Sequence, residues 1–318
     1  MKVISVLNAL AVLFLCTPFT LAQSPIQLAI VDLVGDEGRE FSTLLRDAAR
    51  MSNNEVELLD DDLVRAASRG AGYTGNLNLS RDEARALGQS LGCDFYVLGK
   101  VQSARRQDVG EQFYFDALAG LFFVETRTGK LILFVFERAK AQDESKARNQ
   151  LKETLNRNWP RYAGAIKFAR QQHLLAVENI APPSPPAVEV LTDDIAAQDV
   201  QQPVFYQRLK PDYTEQAEIA GIVATVELEA VFLDDGTVGE VDVVKWAGFG
   251  LDESAMATVK KLRFKPAERG EKKLTIKGLV RYNFRRPLSQ AEKQEEIERL
   301  KRSLQNINKQ TSGQRPKP

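Results

Sequence analysis

The sequence holds one histidine, two cysteines and no excess of either charge in 318 residues. Each scarcity closes off a class of chemistry. His173 sits in the helical stretch ARQQHLLA with no G-x-S-x-G elsewhere, so a histidine-based hydrolytic triad lacks its parts. It reads as a helix-surface or core-edge residue. Zinc sites need clustered Cys and His, and these three residues are scattered. Cys16 lies in an N-terminal apolar segment. Cys93 is therefore left without an internal disulfide partner, and at the head of CDFYVLGKV it reads as a small buried hydrophobe. Lys+Arg and Asp+Glu are both 43, so no global field draws the chain to nucleic acid. No cofactor is expected. With 43% apolar and 27% charged residues, the chain is ordinary globular protein whose fold must rest on its cores.

A dinucleotide-binding pattern is also incomplete. Gly35-Asp36-Glu37-Gly38 follows a strand and precedes a helix, and Asp60, Asp61 and Asp62 come about 20 residues later. The G-x-G-x-x-G pattern is missing, and Asp36 and Glu37 would repel a pyrophosphate. A tight turn is the better reading. The three aspartates open a helix, where acids complement its dipole; a Ca²⁺ site is the other reading. No constellation points to an enzyme.

What is present organises the chain. Lys2 precedes a stretch uncharged from Val3 to Ala22 and ending in Thr-Leu-Ala, which predicts a cleaved signal peptide over residues 1–22. An uncleaved membrane anchor is the alternative, since about 20 apolar residues span a bilayer. Residues 23–179 read as β-α-β-α-α-β-β-β-α, an α/β sandwich with a mixed sheet that ends in an antiparallel hairpin turning at Gly129. Ser80 and Glu83 form a capping box. Pro160 predicts the first turn of a second helix there. Residues 180–201, APPSPPAVEVLTDDIAAQDVQ in the main, read as a Pro-rich, acidic, extended linker. Residues 202–287 read as α-β-β-α-β. In that unit Val226, Leu228, Ala230 and Phe232 alternate along one strand, and Leu251, Ala255, Val259 and Leu262 stripe a helix that Pro266 stops. A last strand runs over 274–284. Trp246 and Phe249 read as buried packing. The fold class is therefore α+β with two domains. The charged tail, 288–318, carries an apolar stripe at Ile297, Leu300, Leu304 and Ile307. A solvated helix is the main reading, and self-association through residues 289–308 the other.

Several of these residues carry a family likeness. Tyr213, Ala217, Gly221, Asp235-Gly236, Val241-Asp242-Val243-Val244, Gly248, Leu251-Asp252, Ala255 and the exit Arg263-Phe264-Lys265-Pro266-Ala267 resemble the C-terminal domain of TonB. This chain departs from the pattern at Tyr213-Thr214, where Tyr-Pro is usual. The long spacer is nearly absent, and no histidine lies in the N-terminal segment. More distantly, residues 26–179 resemble the TolB amino-terminal and CsgG-like periplasmic modules, in Leu28–Leu33, the Ser80–Gly92 helix with its following strand, and VETRTGKLI.

The resemblance implies a periplasmic protein that binds an envelope partner by strand addition at the edge of its last strand, in transport or envelope assembly. An outer-membrane TonB-dependent receptor is one candidate partner. The residues expected to serve are Thr275, Lys277, Leu279, Arg281 and Asn283. The alternative is an inner-membrane-anchored energy transducer that keeps residues 3–22.

Overall fold

The computed structural model describes residues 24–51, 56–107, 113–178, 189–190, 200–287, 294 and 297–303. The expected signal peptide, most of the expected linker and most of the tail lie outside the described residues. Among the described residues no helix is long and apolar enough to cross a membrane. Ile297 and Leu300 of the tail are exposed.

The N-terminal unit runs β1 (Ile26–Ile30), α1 (Glu40–Met51), β2 (Val56–Leu58), α2 (Asp61–Gly70), α3 (Arg81–Leu91), β3 (Phe95–Gln107), β4 (Phe113–Glu125), β5 (Leu131–Ala141) and α4 (Glu144–Glu178). Its sheet has the order β2-β1-β3-β4-β5. β2 and β3 flank β1 in parallel, which requires the helical crossovers between them. β4 and β5 close the sheet antiparallel. The hairpin turns at Gly129, φ +66, where a Cβ would sit 2.1 Å from the Arg81 carbonyl oxygen.

Nine successive residues of β4, Asp116 to Val124, are buried. Such an unbroken run means that both faces of the sheet are covered. On one face Leu28, Ile30, Val97, Leu121 and Phe123 meet Phe41 and Leu45 of α1 and Leu151, Leu155, Trp159 and Tyr162 of α4. Asp116 is the one charge in the run. Arg106 and Arg138 hold its carboxylate from the flanking strands at 2.9 and 2.7 Å, the pairing a buried charge needs.

The expected second helix at Pro160 is corrected. α4 is one helix of 35 residues with Pro160 inside it. An interior proline forfeits a backbone hydrogen bond and costs about 3 kcal/mol. Packing offsets this: Trp159, Tyr162, Ala163 and Ile166 are buried around the proline. Asn158 and the Tyr162 hydroxyl both donate to Glu137, at 2.9 and 2.8 Å.

The C-terminal unit runs β6 (Glu189–Val190), β7 (Val200–Gln201), β8 (Val204–Phe205), α5 (Glu215–Ala220), β9 (Ala224–Phe232), β10 (Val238–Lys245), α6 (Leu251–Val259), β11 (Phe264–Lys265), β12 (Ala267–Arg269), β13 (Lys272–Leu274) and β14 (Ile276–Phe284). The main sheet has the order β10-β9-β14-β6. β9 alternates as its sequence predicts, with Val226, Leu228, Ala230 and Phe232 buried. α6 packs its Leu251, Ala255 and Val259 stripe into the same core. The strand expected over 274–284 is in fact two. β13 pairs with β12, and β14 starts at Ile276 and pairs with β9. The tight turn at Gly270, φ +61, folds β13 back onto β12, so the register breaks at Thr275. The remaining two- and three-residue strands are too short to leave a periodic signal.

The two units share a core. Tyr96, Leu98, Phe122 and Val124 of the first sheet belong to the same hydrophobic cluster as Trp246, Phe249 and Leu251 of the second unit. The Phe249 ring lies 4.7 Å from Phe134, 5.7 Å from Phe136 and 6.1 Å from Phe122, centroid to centroid. Two glycines make the space. A Cβ on Gly120 would stand 2.9 Å from Phe249, and one on Gly248 would stand 2.7 Å from Phe122 and Phe134.

Polar contacts rim this plug. The Asn78 side chain donates to the Thr225 and Trp246 carbonyls and accepts from the Thr225 N–H. Arg81 pairs with Asp242, Lys130 reaches the same carboxylate at 3.4 Å, and Arg106 donates to the Ile219 carbonyl at 2.6 Å. Asn78→Ala would strip three backbone groups of their partner. A loss of about 1–3 kcal/mol is expected, to be read as a lower urea midpoint at unchanged slope.

Candidate partner-binding site

β14 carries four of the five residues expected to bind a partner, and the sheet orders their side chains by parity. Ile276 and Phe284 are buried at its ends, and Val280 and Tyr282 pack against the core between them. Lys277, Leu279, Arg281 and Asn283 alternate with these and stand on the opposite, open face. There they engage β9. Lys277 pairs with Glu229. Arg281 meets Glu227 at 2.7 Å, and Asn283 accepts from the Thr225 hydroxyl at 2.8 Å. Arg281–Glu227 and Asn283–Thr225 are cross-strand neighbours in register and Lys277–Glu229 is a diagonal pair, each worth a few tenths to about 1 kcal/mol. Leu279 has no such polar tie and is 59% exposed. Thr275 is not in the strand. It lies at the break before β14, and its hydroxyl accepts from the Asp234 N–H at 3.3 Å.

Among the described residues, the edge of β14 opposite β9 is paired only at its start. Glu189 and Val190 of β6 run parallel to Ile276 and Lys277. From Gly278 to Phe284 no described strand pairs on that edge. Beside it lies a groove of about 930 Å³, walled by the 202–210 segment on one side and by Gly278 to Tyr282 on the other. Exposed apolar side chains border it: Val204 and Phe205 across from Leu279. Phe205 is fixed by ring contacts to Phe232 at 5.5 Å and Phe264 at 5.6 Å, and β8 pairs with β11. The charged residues lining the groove are Arg208, Lys210 and Arg281. The sequence reading missed the far wall. Its only signal is the apolar triplet Val204-Phe205-Tyr206 between two polar stretches, too short to classify.

The other sequence candidates fall into structural roles. Gly35 takes φ +79, and its Cβ would collide with the Val101 carbonyl at 2.2 Å. Asp36 is buried and accepts from the Phe41 and Ser42 N–H groups and the Ser42 hydroxyl, so its carboxylate anchors the start of α1. Asp60 caps α2. Asp61 pairs with Arg46 at 3.0 Å and Asp62 with Arg65. His173 is half-buried on α4. Cys93 is buried, and burial pushes its thiol up to about 11, which leaves it protonated and unreactive at neutral pH.

The motif residue Asp252 serves the seam. Its two carboxylate oxygens accept from the Ala247 and Gly248 N–H groups at 2.8 and 2.9 Å. This ties the start of α6 to the loop that presents Phe249.

The family described as Gram-negative bacterial TonB protein C-terminal matches residues 210–285. No curated protein matches the chain. Similar solved structures include hypothetical protein CT253 from Chlamydia trachomatis, 13% identical, covering 44% of this chain and 95% of that one at TM-score 0.32. Another is the Pseudomonas aeruginosa TonB CTD, 19% identical, covering 33% and 100% at TM-score 0.26. A third is the LpoB C-terminal domain from Salmonella enterica, 14% identical, covering 36% and 83% at TM-score 0.24. By the family match, residues 210–285 are a TonB C-terminal-like domain, joined here through Phe249 to an α/β unit with a mixed sheet.

Proposed function

We propose that this chain is a non-enzymatic binding protein of the Gram-negative periplasm. It takes an extended segment of an envelope protein by strand addition along Gly278–Phe284 of β14. One observation carries the reading: a strand edge that no described strand pairs over seven residues, beside an apolar groove, within a domain of the TonB C-terminal family. Edge main-chain groups supply affinity, and side chains alternating into the groove supply selectivity. Lys277, Leu279, Arg281 and Asn283 flank the incoming strand; Thr275 marks where the register begins. The partner class is an outer-membrane receptor or another envelope complex, reached after cleavage of residues 1–22. The anchored-transducer reading needs a TonB-like domain at the end of a long spacer. The Phe249 seam favours a binding module that works as one body with its N-terminal unit.

A photo-crosslinking side chain placed at Leu279 or Val280 should capture a discrete envelope protein in cells. The same group at Glu240, on the far strand β10, should not. Equal capture at the two positions, or none at the first, removes strand addition at β14 from consideration. Leu279→Asp, which puts an acid on the open face without touching the core, should weaken capture by about tenfold or more, as expected for one well-placed apolar contact of 1–3 kcal/mol.

A further inference from the structure

The far wall of the groove is this chain's own addition to its TonB-like domain. The family match begins at residue 210, and β8 lies before it at Val204–Phe205. The wall is nonetheless built into the fold. Phe205 pairs with Phe264 and Val204 with Lys265 across the β8–β11 ladder. The Tyr206 N–H donates to the Arg263 carbonyl at 3.2 Å, and Leu209 packs against the core. On either side of Leu209 stand Arg208 and Lys210, both exposed. They line the groove, and among the described residues neither has an ion-pair partner. Arg281 is the third cation, from the β14 side, and Glu227 already meets it at 2.7 Å. Among the described residues no acid lines the groove. The chain as a whole is neutral, so this excess of positive charge is local.

We propose that the wall selects an acidic occupant: an extended segment in which Asp or Glu alternates with apolar side chains. This inference rests on the strand-addition reading above and names the chemistry of the incoming strand.

Three physical arguments support it. First, alternation. A strand that pairs along Gly278–Phe284 sends successive side chains to opposite sides. The groove has surface for both kinds: Val204, Phe205 and Leu279 are exposed and apolar, and Arg208 and Lys210 are charged. Second, charge. Arg208 and Lys210 hold no other carboxylate, so an incoming one meets their full attraction. A lysine in its place would set like charges together beside apolar walls, where water screens them less. Third, the main chain. The N–H and C=O groups along the β14 edge form a ladder only with another polypeptide backbone. An anionic headgroup or a free phosphate could meet the cations and would leave that edge as it is.

The test uses the full chain and three fluorescent heptapeptides, VEVEVEV, VQVQVQV and VKVKVKV. Their length matches Gly278–Phe284, and Glu and Gln differ in charge and hardly in size. Affinity should fall in the order Glu, Gln, Lys. The Glu peptide should bind about tenfold more tightly than the Gln peptide at low salt, as two partly exposed ion pairs allow. That advantage should vanish near about 0.5 M salt, where screening leaves a reach of only a few ångströms. Arg208→Glu combined with Lys210→Glu, both at exposed positions, should invert the order. Equal affinity for the Glu and Gln peptides, absence of binding by either included, overturns the proposal. So does a double variant that keeps the preference for Glu. A photo-crosslinking side chain at Leu279 should trap VEVEVEV; failure to trap it means that the carboxylates bind elsewhere, and also overturns the proposal. Capture of an envelope protein from Leu279 in cells does not depend on this charge preference, so strand addition can stand where acidic selection fails.

Discussion

Phe249→Ala should cost about 3–5 kcal/mol, the range for truncating a buried Phe to Ala, and should do so by uncoupling the two units. The ring is 4% exposed and sits among Phe122, Phe134 and Phe136 of the N-terminal sheet. Truncation leaves a cavity that cannot collapse, because β4 and β5 are fixed in an antiparallel ladder from the pair Phe115–Ala141 to the pair Val124–Leu131. Phe249 also holds a left-handed backbone, φ 54, a conformation uncommon for a residue with a side chain. The ring contacts stabilise it, so the loop loses its anchor with the ring. Denaturant unfolding should change from one transition to two, with new protease sensitivity at 247–250. Phe249→Leu, which keeps most of the volume, should cost less and retain a single transition. An unchanged midpoint for the alanine variant would mean that the aromatic plug does not hold the units together.

Asp252 gives the seam a pH dependence. Its carboxyl is 6% exposed, and burial pushes its pKa from the ordinary 3.8 up to about 7, with the Ala247 and Gly248 N–H groups drawing it only part of the way back. Between about pH 4 and pH 7 the folded chain thus holds a proton that the unfolded chain has released. Stability falls as pH rises through that window, by up to about 1.4 kcal/mol per pH unit, and levels off above it. Asp252→Asn should abolish this component of the slope. It should also cost about 1–3 kcal/mol near pH 5, because an amide can accept with only one of its two terminal atoms and one backbone N–H is left unpaired. Urea midpoints measured at half-unit steps from pH 4 to 8 for both chains would check it. Parallel curves would assign the slope to other groups.

Both predictions concern residues whose identity was legible and whose role was not. The run LDESAMATVKKLRFKP announces a helix with an apolar stripe, and Leu251, Ala255, Val259 and Leu262 are all buried as that stripe requires. The same stretch carries the family likeness. Yet the place of Asp252 near the start of that helix says only that an acid complements the dipole there, and only its contacts show a carboxylate closing a loop. Phe249 reads as buried packing, which is correct, but its partners lie more than 100 positions away.

The candidate site divides in the same way. The alternation that places Lys277, Leu279, Arg281 and Asn283 on one face is a local property of a strand with period two. The break at Thr275 depends on β13 pairing with β12, and the groove's far wall depends on β8 pairing with β11. Those ladders are too short to have a period. Pro160 misled for a related reason: a helix-breaking residue was tolerated because the sheet beneath it buries its neighbours, a tertiary gain that local propensity does not contain.

By itself, then, the sequence determined the α+β class, the order of the long elements, the buried stripe of each and the TonB-like character of the last unit. The first three follow from local spacings along the chain; the last rests on the residues that resemble the TonB C-terminal domain. The tertiary structure alone decided that the two units share a core through Phe249, that Asp252 latches the loop beneath it, and that Glu189–Val190 lies on the edge of β14. Each depends on which distant surfaces meet, and their free energy comes from burial and pairing between segments that carry no mark of one another along the chain.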